Sequence, residues 1–432
     1  MTLLTISIEV AVAYLTIVAT LAIVAALRAG GRRDDPGDDH EALAASRFTI
    51  PVSIIVPVAK GVNSIGRAVS HLLELNYPEL EVIVVADGVS GATLGDFSRD
   101  WQLEAREFFY RKTIETSEVR RIYRSGHDPR LMVIDKAANG YADALNCGIN
   151  VARYRYVMSI RPDVIFDRDA LLRIMKSALR DPAGIVGASN HVERGADNEG
   201  QTQPTGWFAL FQRLASARSL MDSRLAWRNL GAGLGPAGAV MVWRRDAVIK
   251  VTGFSSTAAD PDLDMMCRLQ MRGLEGGGRV DRRSDLFGRV APQSFREVLS
   301  AAARRQRAAF ELLFASVRGG TRTLEARTLA YFVETEIATP LAQIWVVAAT
   351  LVGALMGWFS WTSVLLAILV LALGNAAVSA AALLLRGSTP GAPELPELQR
   401  LLVVGPLEFI LQGSALAAAR IAAAIAFVVP SR

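Results

Sequence analysis

Four long apolar runs, one near the start of the chain and three near its end, constrain this sequence more than any other feature. Leu3 to Leu27 holds a single charge, Glu9. As a helix rising 1.5 Å per residue it reaches roughly 37 Å, enough for a ~30 Å hydrocarbon core. No Lys or Arg precedes it, and the run is longer than a secretory signal core, so a retained anchor is expected. Arg28, Arg32 and Arg33 follow directly. Positive charge stays on the cytoplasmic side, which orients the N-terminus outward and the next domain into the cytosol.

The later runs are Pro340 to Trp358, Val364 to Leu385 and Leu401 to Val429. The last contains Glu408, Gln412 and Arg420. Charges at membrane depth are costly and face protein or a polar path. The alternative is an interfacial helix up to about Gln412 followed by a shorter span. The expectation is an integral protein of an inner or plasma membrane, divided as follows: 1–28 a transmembrane helix, 29–47 a linker, 48–293 a cytosolic α/β domain, 294–339 amphipathic interfacial helices, and 340–432 about three transmembrane helices. In 294–318 Arg296, Arg304, Arg305, Arg307 and Arg318 punctuate an apolar pattern of helical period. That pattern suits the lipid interface, or else an ordinary solvated helix face.

Half of the residues (51%) are hydrophobic, but that excess lies at the ends and the middle reads like a soluble protein. The net charge of +5 is carried by arginine, which favours anionic partners. No motif interleaves basic and aromatic residues in the manner of nucleic-acid binders. Membrane lipids and a phosphate-bearing ligand are therefore expected, and nucleic acid is not. Cys147 and Cys267 form no metal-ligand pattern and are expected to be reduced and packed.

In the middle, short apolar runs (Val52 to Val56, Glu81 to Val85, Leu131 to Ile134, Tyr156 to Ile160) alternate with helical patterns (Ile65 to Leu75, Ala142 to Val151). This predicts a parallel sheet covered on both faces. Ligands of such sheets bind beyond the carboxyl ends of the strands, which singles out Pro57 to Gly61 with Lys60, Ala86 to Gly88 with Asp87, and Arg161 to Asp163. Asp87 has a second reading as a turn former before Gly88, and Lys60 as a solvated loop lysine. Farther on, Asp260-Pro-Asp262-Leu-Asp264 opens a predicted helix. Carboxylates there are favoured by the helix dipole, so simple capping is the alternative for each.

From about Phe48 to Phe314 the order and spacing of these motifs resemble the membrane-bound family 2 glycosyltransferases. That branch includes cellulose-, hyaluronan- and poly-N-acetylglucosamine-type synthases and ceramide glucosyltransferases. The carrying residues are Val52 to Asn63, Tyr77-Pro78, Glu81 to Asp87, Ala142 to Asn146 with its Ala-Leu-Asn, Gly235 to Phe254, and Asp260-Pro-Asp262-Leu with Arg268-Leu and Gly273. The resemblance implies a GT-A fold and inverting transfer of a sugar from a nucleotide diphosphate to a lipid or glycan acceptor. It implies Asp260 as catalytic base, Asp87, Lys60, Arg161 and Asp163 on the donor side, and Gly238 and Asp262 on the acceptor side. It also implies Mg²⁺ or Mn²⁺ held on aspartates.

The departures fall on functional positions. The first acidic strand end reads Ala86-Asp87 where the family has two aspartates. The metal-binding Asp-x-Asp reads Arg161-Pro162-Asp163. Tyr141 replaces a basic residue before Ala-x-Ala-Leu-Asn, Ala259 replaces a Glu, and Gln-x-x-Arg-Trp is not intact around Ala303 to Phe310. A lone Asp163 holds a divalent cation poorly. Either Arg161 supplies the positive charge to phosphate and the enzyme has weak or no metal dependence, or the domain is an inactive scaffold for a partner synthase or export subunit.

Overall fold

The computed structural model describes residues 2–30, 49–59, 65–89, 91–194, 206–224, 240–276, 279–317, 326–386 and 395–428. Lys60 and Gly238 lie outside these. The chain divides into two units, one of residues 37–192 and 236–291, the other of 1–36, 193–235 and 292–432. Residues 193–235 thus group with the apolar helices, although the sequence reading runs one domain across 48–293.

The first unit is built on ten strands: β1 Val52–Ala59, β2 Leu80–Asp87, β3 Leu103–Ala105, β4 Val119–Ser125, β5 Leu131–Lys136, β6 Tyr156–Ile160, β7 Val164–Phe166, β8 Ile185–Arg194, β9 Val240–Arg244 and β10 Arg279–Val290. They lie in the order β3-β4-β5-β2-β1-β6-β9-β8-β10-β7. The four central strands, β5-β2-β1-β6, are parallel. These are the continuous apolar runs of the sequence, and β1, β2 and β6 are buried almost throughout, as a strand covered on both faces must be. The flanks are antiparallel, β4 against β5 and β9 against both β6 and β8. The sheet is therefore mixed rather than all parallel. Polar, partly exposed β4 lies outside the core pattern, and its hydrophobic periodicity is correspondingly weak.

Two asparagines fasten this unit internally. Asn146 of the Ala-Leu-Asn segment donates to Phe254 O at 2.9 Å and accepts from Phe254 N at 2.7 Å. Its Oδ1 lies 2.5 Å from where a Cβ on Gly253 would stand, and Gly253 has φ +76°, so only glycine fits that turn. Asn150 likewise accepts from the Thr113 and Ile114 amides and donates to Ile114 O.

The second unit is helical. Among the described residues four helical stretches are long and apolar enough to cross a membrane: Thr2–Val24, Leu329–Leu355, Trp361–Leu384 and Leu398–Phe427. Their outer faces leave Leu3, Ile17, Leu365, Leu366 and Val403 exposed, which suits hydrocarbon rather than water. The Trp207–Arg224 helix packs on this group, with Phe211, Leu214 and Ala217 buried among Ala381, Ala382, Leu383, Leu401 and Val404. The Phe295–Val317 helix opens on a reciprocal cap, Ser294 N and Oγ donating to Glu297 and Glu297 N to Ser294 Oγ. Phe310 of that helix stacks on Phe427, and Phe314 packs tilted against it.

Two of the charge-bearing spans contain a π-helical turn, Val333–Ala338 and Phe409–Gly413, a feature that clusters at special positions. Glu336 in the first accepts from Arg305 Nε at 2.7 Å, and its backbone carbonyl accepts from Gln306 at 2.9 Å. Glu408, beside the second, accepts from both terminal nitrogens of Arg218 at 2.6 and 2.7 Å and from Asn375 at 3.0 Å. The acids in these spans face protein.

Candidate active site at the strand ends

Asp87 ends β2 and Lys136 ends β5, adjacent parallel strands in which these two residues are directly paired. Asp87 Oδ1 accepts from Lys136 Nζ at 2.5 Å and from Asn139 N at 2.9 Å, and Oδ2 accepts from Gly140 N at 2.8 Å. Lys136 is fully buried and also meets Asp143 Oδ2 at 2.7 Å. Asp143 accepts in turn from Ser117 N and Oγ. Burial opposes the charge on Lys136, but its bonds to Asp143 and Asp87 outweigh that and raise its pKa. Burial raises the Asp143 carboxyl as well, and Lys136 and Ser117 outweigh it to leave the group lowered. Lys136 and Asp143 thus hold each other ionised. Gly88 completes the turn at φ +64°, where a Cβ would meet that of Ala138 at 2.5 Å. Asp87 therefore shapes the 137–140 loop with both oxygens.

That loop delivers Tyr141, the first residue of the Tyr141–Val151 helix. Its hydroxyl donates to Asp262 Oδ2 at 3.1 Å. Burial, then the neighbouring Asp262, keep the phenol far above its ordinary pKa. Asp262 is the second residue of the Pro261–Gly276 helix. Burial and the nearby Asp260 push its carboxyl up to about 7, against the opposing effects of Tyr141 and Arg161. Its Oδ1 is buried with no hydrogen-bond partner.

Asp260 caps the same helix, Oδ1 accepting from Leu263 N at 3.1 Å, with Pro261 in the first helical position. Asp264 is paired with Arg268 one turn later at 2.7 Å. Arg161, just past β6, grips Asp163 with two nitrogens, at 3.1 and 2.6 Å, and both side chains are roughly 40% exposed.

These elements bring Asp87, Tyr141, Asp260, Asp262, Arg161 and Asp163 to the carboxyl side of the central strands. The roles of Lys136 and Asp143 were missed by sequence reasoning. The available signal was a lysine closing a buried strand with an acid in the first turn of the next helix. The residues described do not fit a divalent cation. No three His, Cys, Asp or Glu side chains gather among them, and both Asp163 oxygens are taken by Arg161.

The mixed sheet with a parallel core and flanking helices is the arrangement of a GT-A fold. Residues 111–245 match the family "Glycosyl transferase family 2". Poly-β-1,6-N-acetyl-D-glucosamine synthase from Staphylococcus aureus (strain MSSA476) is 24% identical over 213 residues, 49% of this chain and 43% of the relative. The enzyme of that name from Staphylococcus epidermidis is 23% identical over 170 residues, 39% of this chain and 35% of the relative. The matched stretch thus spans less than half the length of these curated relatives. The solved mannosyltransferase from Pyrobaculum calidifontis, in complex with GDP-mannose and Mn²⁺, superposes with a TM-score of 0.54 at 17% identity, covering 98% of this chain and 100% of that one. That likeness shows the fold.

Proposed function

We propose that this chain is a membrane-bound inverting glycosyltransferase that moves a sugar from a nucleotide-diphosphate donor to a lipid or glycan acceptor, and that it works without a divalent cation. The observation that carries this reading is the strand-end cluster, in which the Arg161 guanidinium lies within electrostatic reach of Asp262 at the start of one helix. Arg161 is exposed enough to exchange Asp163 for the donor's diphosphate, and its planar fork suits phosphate oxygens. Before the donor arrives, Asp163 holds Arg161 in place. A carboxylate from the Asp260–Asp262 pair takes the acceptor's proton. The arginines after the first span favour a cytosolic site, where nucleotide sugars would reach it, and the apolar helices would supply a lipid-borne acceptor.

Calorimetry of the full chain in detergent, against a panel of nucleotide sugars with Mn²⁺ and then with EDTA, tests this. One donor should bind equally well in both conditions, and Arg161→Met should weaken it by roughly tenfold to a hundredfold, the worth of a charge-assisted bond of about 1.5–3 kcal/mol. Binding that requires Mn²⁺ would overturn metal independence. No binding by any donor would overturn the transferase reading and leave a scaffold.

A further inference from the structure

Among the described residues of the α/β unit, one large hydrophobic side chain stands exposed: Phe109, at 93%. The other exposed large hydrophobics belong to the helical unit, whose apolar faces suit hydrocarbon. Phe109 is the middle of three consecutive aromatics, Phe108, Phe109 and Tyr110, set between Arg106 and the pair Arg111-Lys112. We propose that this segment is a lipid-contacting tip: Phe109 enters the surface of a bilayer that carries anionic lipids, and the three cations meet headgroup phosphates. The contact is independent of the transfer reaction.

The tip is fastened on both sides. Arg106 N donates to Ile122 O at 3.0 Å, just past the pairing of β3 with β4. On the other side the amides of Thr113 and Ile114 donate to Asn150 Oδ1 at 3.1 and 3.0 Å, and Ile114 is buried. Within the tip, the Arg124 guanidinium stands 5.6 Å from the centre of the Phe108 ring, and Tyr110 is partly buried. With its neighbours held, Phe109 is displayed at little further cost in ordering entropy. The bonds also reach the site. Asn150 holds Thr113 and Ile114, and Asp143 holds Ser117. Both belong to the helix that begins at Tyr141, so lipid contact at the tip bears on that helix.

The charges select the occupant. Glu107 is the one acid between Arg106 and Lys112. Arg106 bridges to Glu104 at 2.9 Å and Lys112 to Glu115 at 3.0 Å, with all four side chains at least 45% exposed. Exposed bridges of this kind are weak, so a phosphate can displace the carboxylate. A phenyl ring has no polar atom that must stay wet, and cations flanking an apolar tip are drawn to an anionic interface. One such tip binds a free bilayer weakly. The chain's own apolar stretches keep it near a bilayer, and that high effective concentration makes a weak contact occupied.

The test uses the full chain in nanodiscs of phosphatidylcholine, with and without phosphatidylglycerol. Phe109→Cys is labelled with an environment-sensitive fluorophore, and unlabelled Cys147 and Cys267 are both buried. In anionic discs the emission should shift to the blue and be quenched by a lipid bearing a quencher on its acyl chain. In neutral discs both effects should be much smaller. The ratio of quenched to unquenched label gives the docking equilibrium, and each of Arg106→Gln, Arg111→Gln and Lys112→Gln should lower it about fivefold. Because the label is itself apolar, hydrogen exchange of the unlabelled chain supplies a second readout. Amides 107–112 should exchange more slowly in anionic than in neutral discs, and this difference should vanish in Phe109→Ser. Label and amides equally open to water in both discs would overturn the proposal. So would protection that ignores lipid charge but grows with the number of protein copies per disc, which would assign the tip to a protein partner.

Discussion

Each unit of this protein buries a charged network, and the two are built in opposite ways. In the α/β unit a cation is central. Lys136, fully buried, sits between Asp87 and Asp143, and backbone amides of Asn139 and Gly140 complete the carboxylates. In the helical unit an anion is central. Glu408, 2% exposed, receives Arg218 and Asn375, and Ser379 accepts from the same arginine. The first network folds one short loop, and that loop carries Tyr141 into the site. The second joins residues 190 positions apart and ties a helix to apolar spans. A buried charge can therefore shape a site locally or clamp helices at long range, depending on what its partners are attached to.

The largest effect should come from Lys136→Met. It removes the buried cation bonded to two buried carboxylates, a change typically worth about 3–5 kcal/mol. Chemical denaturation should show the α/β unit unfolding at distinctly lower denaturant. Adding Asp87→Asn and Asp143→Asn to it should recover much of the loss. A Lys136→Met protein as stable as wild type would show that the triad is only a local arrangement of loop polarity.

The helical clamp should respond next. Arg218→Leu or Glu408→Leu alone should cost about 3 kcal/mol by thermal melting in one detergent, because each leaves a buried charge without its main partner. The double variant should return to within about 1 kcal/mol of wild type, since two apolar residues of similar size leave nothing unpaired. Singles without effect would mean that water or lipid reaches this pair, and the contrast with the fully dry Lys136 would sharpen accordingly.

A smaller, pH-dependent effect belongs to Asp262. Its folded pKa, about 7, lies above the unfolded value near 3.8, so the folded chain binds more protons between those limits. Stability contributed by the neutral form is present at low pH and lost as pH rises toward 7. At ~1.4 kcal/mol per unit the upper bound is roughly 4 kcal/mol. Melting curves of wild type should fall across that window, and Asp262→Asn should flatten them. An unchanged slope would mean that Asp262 is ionised throughout.

The central strands were legible because burial on both faces forces unbroken apolar runs, as in Val52–Ala59 and Leu80–Asp87. Antiparallel β4 and the Trp207–Arg224 helix were not. The former has a half-solvated pattern, and the latter owes its place to Ala381, Leu401 and Val404, far away in sequence. At the site, the strand-end rule and the family resemblance pointed to Asp87, Arg161, Asp163, Asp260 and Asp262. What no spacing could show was which side chain takes which partner. Asp87 read as a donor contact or a turn former, and the structure adds Lys136 and two backbone amides as partners of its oxygens. Tyr141 read only as the loss of a basic group until its hydroxyl was found on Asp262.

The smallest effect tests the division of labour between the paired aspartates. Asp260 caps the Pro261–Gly276 helix through one side-chain bond to Leu263 N. Losing such a cap costs about 1 kcal/mol, within a range of 0.5–2. Asp260→Ala should lower stability by that amount, and Asp260→Ser, which can still accept from Leu263 N, by only a few tenths of a kcal/mol. Both should also remove the negative charge that raises Asp262, so the Asp262 carboxyl should titrate lower in each. The two readouts separate what one mutation alone would confound. Restored stability in Asp260→Ser with a lowered Asp262 titration identifies a cap that also tunes its neighbour. Equal destabilisation in Asp260→Ser and Asp260→Ala would show that the carboxylate charge at the helix start, rather than the Leu263 bond, is what the fold uses.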